Sequence, residues 1–389
     1  MSNKIPFNVS VTATHSKKYA LQVIEKVSNH GKITFIDRCQ QWFKDELNCQ
    51  QALLTPSCTA ALEMAAMLID VKPGDEIIMP SYTFVSTANA FAIRGAKIVF
   101  VDIRPDTMNI DETLIESAIT SRTLAIVPVH YGGVSCDMDV IMNIANKYGL
   151  FVIEDAAQGM MGSYKDRLLG SIGHFGAYSF HETKNFTSGG EGGLLIVNEK
   201  EFVSRAEIIR EKGTNRSQFL REQVDKYTWV DIGSSYLMSE IQAACLYAQL
   251  EESQVINRDR LASWDVYYDK LNKLSELKMV ELPTVPVDCN HNAHMFFIKV
   301  VNASDRNKLL KYLNTRNIGA VFHYIPLHSS PAGVSMSRFH GKDRFTTSES
   351  ERIIRLPLWF GMNKSQINEV VDAICRYFRG DSKYIDLNL

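Results

Sequence analysis

Short apolar runs alternate with helical patterns between about residues 55 and 200. The β-branched runs predict buried strands, and the segments between them carry apolar side chains at helical spacing. The predicted strands are residues 76–79, 97–102, 124–130, 150–154 and 177–181. The predicted helices are residues 57–70, 83–93, 111–119 and 137–148. This alternation predicts a large α/β domain with a doubly wound, mostly parallel sheet and helices on both of its faces.

The pattern changes in the second half of the chain. No Gly or Pro occurs between Gly233 and Pro283, and residues 239–274 keep apolar positions at helical spacing, which predicts a long helix or a helix pair. Further predicted strands are residues 294–300 and 320–324, and further predicted helices are residues 305–314, 348–355 and 366–378. We therefore expect a large domain over residues 1–250, a smaller C-terminal α+β domain over residues 251–380 and a tail at residues 381–389.

Composition excludes several classes of protein. With 389 residues, 45% of them apolar and 22% charged, the chain has the composition of an ordinary globular protein of two or three domains. A net charge of −2 gives no electrostatic footprint for nucleic acid or anionic lipid. No stretch approaches the roughly 20 apolar residues of a membrane span, and the first ten residues lack the apolar core of a signal peptide. We expect neither a nucleic-acid nor a membrane partner.

The cysteines point to a reducing compartment. There are seven of them, an odd number, and no pair has C-x-x-C spacing. This argues against both a disulfide framework and a zinc cluster. We expect reduced thiols, a cytoplasmic location and no metal site.

The most informative side chains lie at the ends of two predicted strands. The buried run Leu150-Phe-Val-Ile-Glu-Asp155 ends in two carboxylates, and Lys184 follows another predicted strand 29 residues after Asp155. Ligands of open parallel sheets bind at the carboxyl ends of strands, so Lys184 and Asp155 should face one crevice. Each residue alone is better explained by a surface salt bridge. Together they meet two demands of pyridoxal phosphate chemistry, an amine that forms a Schiff base and a carboxylate that keeps a pyridinium nitrogen protonated.

A seat for a phosphate is also indicated. The run Thr55-Pro-Ser57-Cys-Thr59 ends a loop and opens an apolar helix, whose free N–H groups and dipole favour an anion. The hydroxyls of Ser57 and Thr59 can add hydrogen-bond donors. The same residue types are common at helix starts simply as caps, and that alternative stays open.

Five motifs, in order along the chain, carry a family resemblance. They are Ser57-Cys-Thr-Ala-Ala-Leu62, Pro80-Ser-Tyr-Thr-Phe84, Glu154-Asp-Ala-Ala-Gln158, Ser179-Phe-His-Glu-Thr-Lys184 and Glu191-Gly-Gly193. The chain resembles the DegT-type sugar aminotransferases, from about residue 5 to residue 378. Three finer segments resemble the branch of that family that makes dTDP-4-amino-4,6-dideoxygalactose. They are Glu211-Lys-Gly-Thr-Asn-Arg-Ser217, Val224-Asp-Lys-Tyr-Thr-Trp229 and Phe322-His-Tyr-Ile-Pro-Leu-His328.

The resemblance implies a fold-type I enzyme that uses pyridoxal 5'-phosphate, with pyridoxamine phosphate as the intermediate form. Lys184 matches the Schiff-base lysine and proton shuttle, and Asp155 the partner of the pyridinium nitrogen. Gln158 matches the residue beside the phenolic oxygen. Phe84 matches the ring that stacks on the pyridine, although a core aromatic is an equal alternative, and Ala157 packs on the opposite face. The phosphate seat corresponds to Ser57, Thr59, Ala60 and Ser179.

One segment departs from the family pattern. Family members usually show Gly-Tyr-Asn-Tyr-Arg-Met before the long helix, and the Asn reaches the phosphate of the neighbouring subunit. This chain reads Gly233-Ser-Ser235-Tyr-Leu237-Met, so Ser235 replaces the Asn and Leu237 replaces the Arg. The resemblance still implies a homodimer with shared active sites, in which Ser235 contributes to the partner's cofactor seat.

Histidines and basic side chains are the candidates for binding the sugar nucleotide. His181, His323 and His328 lie near predicted strand ends or loops, and Tyr324 adjoins them, although an isolated His is often structural. Lys212 and Arg216, with the neighbouring Lys226, form a basic cluster that can meet a diphosphate or simply be a solvated face.

The resulting hypothesis is transamination between L-glutamate and a nucleotide-linked 4-keto-6-deoxy sugar. The favoured substrate is dTDP-4-keto-6-deoxy-D-glucose, with dTDP-4-amino-4,6-dideoxy-D-galactose and 2-oxoglutarate as products for lipopolysaccharide, O-antigen or enterobacterial common antigen synthesis. Alternatives are another sugar nucleotide, a 4-amino-4,6-dideoxyglucose or 3-amino product, and a non-catalytic sugar-nucleotide-binding regulator. A dehydratase of the same family would resemble this chain with His in place of Lys184. A nicotinamide-dependent oxidoreductase is disfavoured because no G-x-G-x-x-G follows a strand.

Overall fold

The computed structural model describes residues 4–28 and 35–380. The strands are β1 Gln51–Thr55, β2 Glu76–Pro80, β3 Lys97–Val101, β4 Thr123–Ile126, β5 Phe151–Asp155, β6 Ser163–Tyr164, β7 Arg167–Leu168, β8 Phe175–Ser179, β9 Gly193–Val197, β10 Cys289–Asn290, β11 Phe296–Lys299, β12 Ser337–Phe339 and β13 Ile353–Leu356. The predicted tail at residues 381–389 lies outside the described residues.

The α-helices begin near the N-terminus and recur between most of the strands. They are α1 Ser16–Ser28, α2 Phe35–Leu47, α3 Cys58–Leu68, α4 Val85–Ala92, α5 Ile115–Ala118, α6 Met138–Tyr148, α7 Val203–Arg210, α8 Arg216–Leu220, α9 Glu240–Leu250, α10 Ser253–Glu276, α11 Ala303–Asn314, α12 Pro331–Met336, α13 Thr346–Arg352 and α14 Lys364–Gly380.

An eight-stranded sheet organises the large domain, in the order β1-β9-β8-β5-β4-β2-β3-β12. The central strands are parallel, whereas β9 pairs antiparallel with both β8 and β1. Apolar side chains cover both faces of the sheet in two separate clusters, one against α2, α6 and α9 and the other against α3 and α4. The predicted fold class, a mostly parallel α/β sheet with helices on both faces, is confirmed.

All five strands predicted in the first half are present, with shifted ends. The strand predicted over residues 124–130 stops at Ile126, two residues before Pro128, which has no N–H to donate to a ladder. Three strands of this sheet, the edge strands β1 and β12 and the antiparallel strand β9, were not predicted. The stretch 239–274 contains the helix pair α9 and α10, and Ser239 begins it with a capping box shared with Gln242.

Two predictions in the C-terminal half differ from the structure: one helix ends three residues early, and one strand does not form. The helix predicted over residues 348–355 ends at Arg352, and β13 follows it and pairs antiparallel with β11. The strand predicted over residues 320–324 forms only an isolated bridge between Val321 and Arg355. Both errors concern β13, whose partner strand β11 lies more than 50 residues earlier in the chain. A pairing between such distant segments cannot be predicted from the local pattern of apolar residues.

We propose that the division near residue 250 marks two packing units. A third apolar cluster gathers α10, β11, α11, β13 and α14 in the C-terminal part. Two segments cross this division. Ile5 is buried in the C-terminal cluster, and β12 joins the edge of the large sheet beside β3.

Among residues 4–28 and 35–380, none of the helices combines the length and the apolar character needed to cross a bilayer. All seven cysteines are unpaired.

Candidate active site

A cavity of about 450 Å³ lies at the carboxyl ends of β5 and β8. Most residues proposed from the sequence meet there, although they span more than 260 positions. Those that line it are Ser57, Thr59, Phe84, Asp155, Ala157, Gln158, Ser179, His181, Lys184, His323 and Tyr324. Five others do not line it: Ala60, Lys212, Arg216, Ser235 and His328.

Lys184 reaches the cavity from the turn that follows β8. Its N–H donates to the carbonyl of His181 at 2.9 Å, which fixes the turn. Removal of water around the amine lowers the pKa of Lys184 below its usual value, and the nearby Arg355 acts in the same direction. Cys58 and Asp155 oppose that change. The amine is therefore more often uncharged than a lysine in water, so it is more often available as a nucleophile and as a proton acceptor.

Asp155 ends β5 with its carboxylate enclosed at 5% exposure. One carboxylate oxygen accepts a hydrogen bond from Thr87 Oγ1 at 2.6 Å, and the other accepts one from the N–H of Ala157 at 3.1 Å. Within the described part of the chain it has no cationic partner at salt-bridge distance. A carboxylate held by neutral donors keeps its charge available for a cation placed in the cavity, such as a protonated ring nitrogen.

The predicted phosphate seat is the N-terminus of α3. Ser57 is the N-cap, and its Oγ accepts the N–H of Ala60 at 3.1 Å, so Ser57 is both a cap and a cavity residue. Thr59 Oγ1 donates to Ser86 Oγ at 2.8 Å. A Cβ on Gly193 would lie 2.3 Å from the Ser57 carbonyl carbon, so only glycine lets β9 pass this close. The backbone dipole and hydroxyls suit an anion.

Gln158 and Phe84 are both neighbours of Tyr324. Gln158 Nε2 donates to the Tyr324 hydroxyl at 3.2 Å, and Gln158 Oε1 accepts the N–H of Gly132 at 2.7 Å. Phe84 is 56% exposed and its ring centroid is 6.2 Å from that of Tyr324. Phe84 is therefore a surface aromatic at the cavity mouth, and not a core residue.

Three residues proposed for the partner or the diphosphate lie together outside the cavity. Ser235 is exposed and forms a bridge with Glu211. The N–H of Lys212 donates to the Ser234 carbonyl at 2.9 Å, and Arg216 is paired with Glu211 at 2.9 Å. These residues share one surface of their own subunit, and their roles stay predictions.

His328 also lies outside the cavity. Its Nδ1 is 2.7 Å from Ser81 Oγ, and its Nε2 is 3.2 Å from a carboxylate oxygen of Asp343. Both ring nitrogens are therefore engaged by protein groups. His181, by contrast, lines the cavity and forms a 2.9 Å hydrogen bond with Thr183 Oγ1.

Several lining residues were given no role by the sequence analysis, among them Phe7, His294 and Arg355. Phe7 stands alone in the N-terminal segment, with no local signal. His294 was placed at the start of a strand and given no role. Arg355 was placed in a helix. It is the single charge in the apolar run Ile353-Ile-Arg-Leu-Pro-Leu-Trp359, and a lone charge in a buried run was the signal that could have revealed it.

Two of the three histidines that line the cavity, His294 and His323, have lowered pKa values and so favour the neutral imidazole. Burial lowers the pKa of His294 and His323 well below the usual value, and the positive charges of Lys184 and Arg355 add to that effect. Asn185 Nδ2 donates to the Asn292 carbonyl, so its Oδ1 faces His294 Nδ1 at 3.0 Å and accepts the imidazole proton. His294 Nε2 is left as an acceptor.

An amine with a lowered pKa, an enclosed carboxylate and an anion seat thus surround one cavity of a fold-type I sheet. This donor set fits pyridoxal phosphate: the α3 N-terminus and hydroxyls would hold the phosphate, Asp155 the ring nitrogen and Lys184 the aldehyde carbon. The fold and the site together define an enzyme of the pyridoxal-phosphate-dependent transferase class.

The chain belongs to the DegT/DnrJ/EryC1/StrS aminotransferase family, whose model matches residues 15–375. It is 32% identical to the spore coat polysaccharide biosynthesis protein SpsC of Bacillus subtilis, over 93% of this chain and 95% of SpsC. It is 30% identical to GDP-perosamine synthase of Caulobacter vibrioides, over 92% and 94%. The solved structure of S. venezuelae DesV is similar, with a TM-score of 0.84 and 27% identity over 97% of this chain and 99% of DesV.

The chain is accordingly a sugar aminotransferase, and its cofactor is pyridoxal phosphate. When bound, that group supplies an electron sink and carries the amino group between two substrates. Lys184 is placed to take a proton from the substrate carbon and to return it, because its amine has a lowered pKa and faces the cavity. The enclosed carboxylate of Asp155 would stabilise positive charge on the bound group.

Proposed function

We propose that this enzyme transfers the amino group of L-glutamate to dTDP-4-keto-6-deoxy-D-glucose, giving dTDP-4-amino-4,6-dideoxy-D-galactose and 2-oxoglutarate. The single observation that carries transamination is that Lys184 and Asp155 line one cavity. The sugar assignment is supported by the segment Phe322–His328, of which His323 and Tyr324 line the same cavity. One relative, GDP-perosamine synthase, has a different nucleotide in its name, so the nucleotide base of the substrate must be determined by experiment.

The uncharged histidines support a sugar at this position. A neutral imidazole exchanges hydrogen bonds with hydroxyls and has no charge to attract a second anion. His323 Nδ1 is 3.2 Å from the Tyr131 hydroxyl, which holds the ring against the large domain. Tyr82 donates to the His323 carbonyl as well. His323 is thus held at both its ring and its backbone while it lines the cavity.

The test of this proposal is a direct product analysis. The enzyme is incubated with L-glutamate and, separately, the dTDP-, UDP- and GDP-linked 4-keto-6-deoxy sugars, and the amino sugar is examined by NMR. We expect turnover with the dTDP sugar and an axial amine at C4. Preference for another nucleotide, an equatorial amine or a 3-amino product would refute the substrate assignment. Absence of any amino sugar, with no change in the cofactor absorbance on adding glutamate, would support the regulator alternative.

We further propose a cytoplasmic homodimer in which each subunit completes the other's site. The support is the exposed surface that carries Lys212, Arg216 and Ser235, since it lies outside its own subunit's cavity. The same segment exposes Trp229 at 79%, which is unusual for a large aromatic that stays in water. A large exposed aromatic side chain beside exposed polar side chains is typical of a surface that another chain covers.

Complementation tests the shared site. Subunits with Lys184→Ala are mixed with subunits carrying Ser235→Trp under conditions that allow exchange. In a mixed dimer one site would combine an intact Lys184 with an intact Ser235 segment, so up to about a quarter to a half of the wild-type activity should return, depending on exchange. Heterodimers without activity, or full activity in a verified monomer, would refute the proposal.

A further inference from the structure

His294 lines the cavity with one of its two ring nitrogens already engaged by the protein. The residue is buried, at 5% exposure. Its Nδ1 lies 3.0 Å from Asn185 Oδ1, whereas none of the described residues provides a hydrogen-bond partner for Nε2. A buried polar atom without a partner is costly, so Nε2 is the nitrogen left for a molecule bound in the cavity.

Two asparagine side chains determine which nitrogen of His294 carries the proton. Asn185 Nδ2 donates to the Asn292 carbonyl at 2.9 Å, so Asn185 Oδ1 faces His294 and accepts its Nδ1 proton. Asn292 is fixed in turn, because its Nδ2 donates to the carbonyls of Gln158 and Met160 at 2.7 and 2.8 Å. Its Oδ1 accepts the N–H of His294 at 3.0 Å. The neutral imidazole therefore has a protonated Nδ1 and an unprotonated Nε2.

The asparagine pair is tightly packed beside the reacting lysine. Asn185 and Asn292 are 3% and 1% exposed. A Cβ on Gly133 would lie 1.9 Å from Asn292 Oδ1, so this amide can lie here only because residue 133 is glycine. Asn185 directly follows Lys184, whose positive charge acts on the imidazole of His294. The pair thus holds the ring in one orientation near the amine that transfers the proton.

We propose that His294 Nε2 accepts a hydrogen bond from the sugar hydroxyl on the carbon next to the keto carbon, with Asn185 as the positioning residue that keeps Nε2 unprotonated. In a 4-keto-6-deoxy sugar this group is the C3 hydroxyl. The inference rests on the proposed function, because it names the sugar group that the same cavity recognises.

The hydrogen-bonding capacity of Nε2 distinguishes the two substrates. An unprotonated imidazole nitrogen only accepts, so it repels a carboxylate oxygen and binds an O–H or N–H group. The α-carbon of glutamate carries a carboxylate, the amine that is transferred and an apolar chain, and none of these supplies an O–H. In the keto sugar, C3 carries a hydroxyl, whereas C5 carries a methyl group and the ring oxygen. An acceptor near Lys184 suits the hydroxyl one bond from the reacting carbon.

The experiment pairs a change in the enzyme with a change in the substrate. Single-turnover absorbance gives half-saturation and limiting rate for the keto sugar, its 3-deoxy analogue and glutamate. The holoenzymes are wild type, His294→Phe, His294→Gln and Asn185→Ala. His291→Phe is the matched control, since His291 lies in the same segment and does not line the cavity. Nitrogen-15 spectra of labelled histidine, recorded without substrate, show which ring nitrogen carries the proton.

For the wild type we expect the 3-deoxy analogue to raise half-saturation about 5- to 10-fold, as loss of one hydrogen bond to a buried acceptor implies. His294→Phe should show the same rise with the natural sugar, and removal of the hydroxyl should then add less than about twofold, because its partner is gone. His294→Gln should recover part of the loss, since an amide oxygen can replace Nε2. Half-saturation for glutamate should not change, and His291→Phe should match wild type.

Asn185→Ala tests the positioning role. We expect half-saturation for the keto sugar to rise about 2- to 5-fold, because Nδ1 loses its acceptor and the proton can move to Nε2. The nitrogen-15 spectrum should show this change, whereas a merely structural role of Asn185 would leave the proton on Nδ1. An unprotonated Nε2 in Asn185→Ala, equal to that of wild type, would contradict the positioning role.

Four results would overturn the binding role: additive losses from His294→Phe and the 3-deoxy analogue, a raised half-saturation for glutamate, an equal loss in His291→Phe, or a protonated Nε2 in wild type. If His294→Phe does not fold, wild-type enzyme with the two sugars still decides, because equal half-saturation contradicts the contact. If wild-type enzyme converts no keto sugar, the proposed function fails and the hydroxyl contact with it, whereas an unprotonated Nε2 would still support an acceptor site.

Discussion

Two walls of the cavity differ in how the chain builds them. The strand-end wall consists of Ser57, Thr59, Asp155, Ser179 and Lys184, each within a few residues of a strand of the large sheet. The opposite wall consists of Phe7, His294, His323, Tyr324 and Arg355, which come from four separate segments of the chain.

The walls also differ in how they are held. Asp155 is fixed by the sheet itself, because its N–H donates to Pro128 and its carbonyl accepts from His130. The opposite wall combines backbone pairing at Arg355 with side-chain contacts, such as the bond from Gln158 to Tyr324 and the ring of Phe7 on Arg355. Backbone ladders give a rigid frame suited to unchanging chemistry, and side-chain contacts can change with the substrate. We infer that the strand-end wall performs proton transfer and the opposite wall selects substrates.

The largest expected effect comes from the strand-end wall. Lys184→Ala should lower turnover by about four orders of magnitude, because it removes the proton-transfer group. The check is steady-state kinetics, with borohydride reduction and peptide mass mapping of the wild type to identify the modified lysine. Lys147→Ala, an exposed lysine paired with Glu116, is the control and should be fully active. Modification of a different lysine would remove Lys184 from its assigned role.

A smaller effect is expected at the other end of the same wall. Asp155→Asn should leave the fold intact and reduce turnover by about 10²- to 10³-fold, because a neutral amide cannot hold a ring nitrogen protonated. Circular dichroism checks the fold and stopped-flow absorbance checks the rate. Asp139→Asn, a surface change at a residue paired with Lys165, serves as the control. Turnover close to wild type would place the charge partner elsewhere.

Ser57→Ala should cost about 1 kcal/mol of unfolding free energy, the usual loss for an N-cap hydroxyl. It should also weaken cofactor binding, since Ser57 both caps α3 and lines the cavity. Denaturation of the apoenzyme measures the first effect and titration with pyridoxal phosphate the second. Ser239→Ala removes the cap of α9, away from the cavity, so it should lower stability without changing cofactor affinity. Equal cofactor affinities in the two variants would show that Ser57 is a cap only.

The smallest effect is a pH dependence behind the opposite wall. Burial lowers the pKa of His291 to about 4 from an unfolded value near 6.5. Between pH 6.5 and about 4 the unfolded chain binds more protons at His291 than the folded chain does. The free energy of unfolding therefore falls as the pH falls through this range. Melting temperatures across that range should drop less steeply in His291→Gln, because one titrating group is gone. An unchanged slope would mean that His291 contributes no part of the acid sensitivity.

The comparison of walls also explains what the sequence could predict. Asp155 and Lys184 follow apolar runs, and parallel strands end at one edge, so their meeting follows from local pattern and sheet geometry. Arg355 and Phe7 meet only because β13 pairs with β11 and the N-terminal segment at Ile5 pairs with residues 317–319. Such pairings are set by tertiary packing between distant segments, which periodicity does not encode. Lys212, Arg216 and Ser235 lie outside the cavity of their own chain, so a single chain leaves their predicted roles untested.

The most direct test of the division between the walls is to measure each half-reaction separately in Asp155→Asn and His323→Gln. For Asp155→Asn we expect the limiting rates with glutamate and with keto sugar to fall by similar factors, with half-saturation nearly unchanged. For His323→Gln we expect limiting rates near wild type and half-saturation for the keto sugar raised about fivefold. His340→Gln, outside the cavity, is the control. A rate defect in His323→Gln alongside an affinity defect in Asp155→Asn would contradict the account.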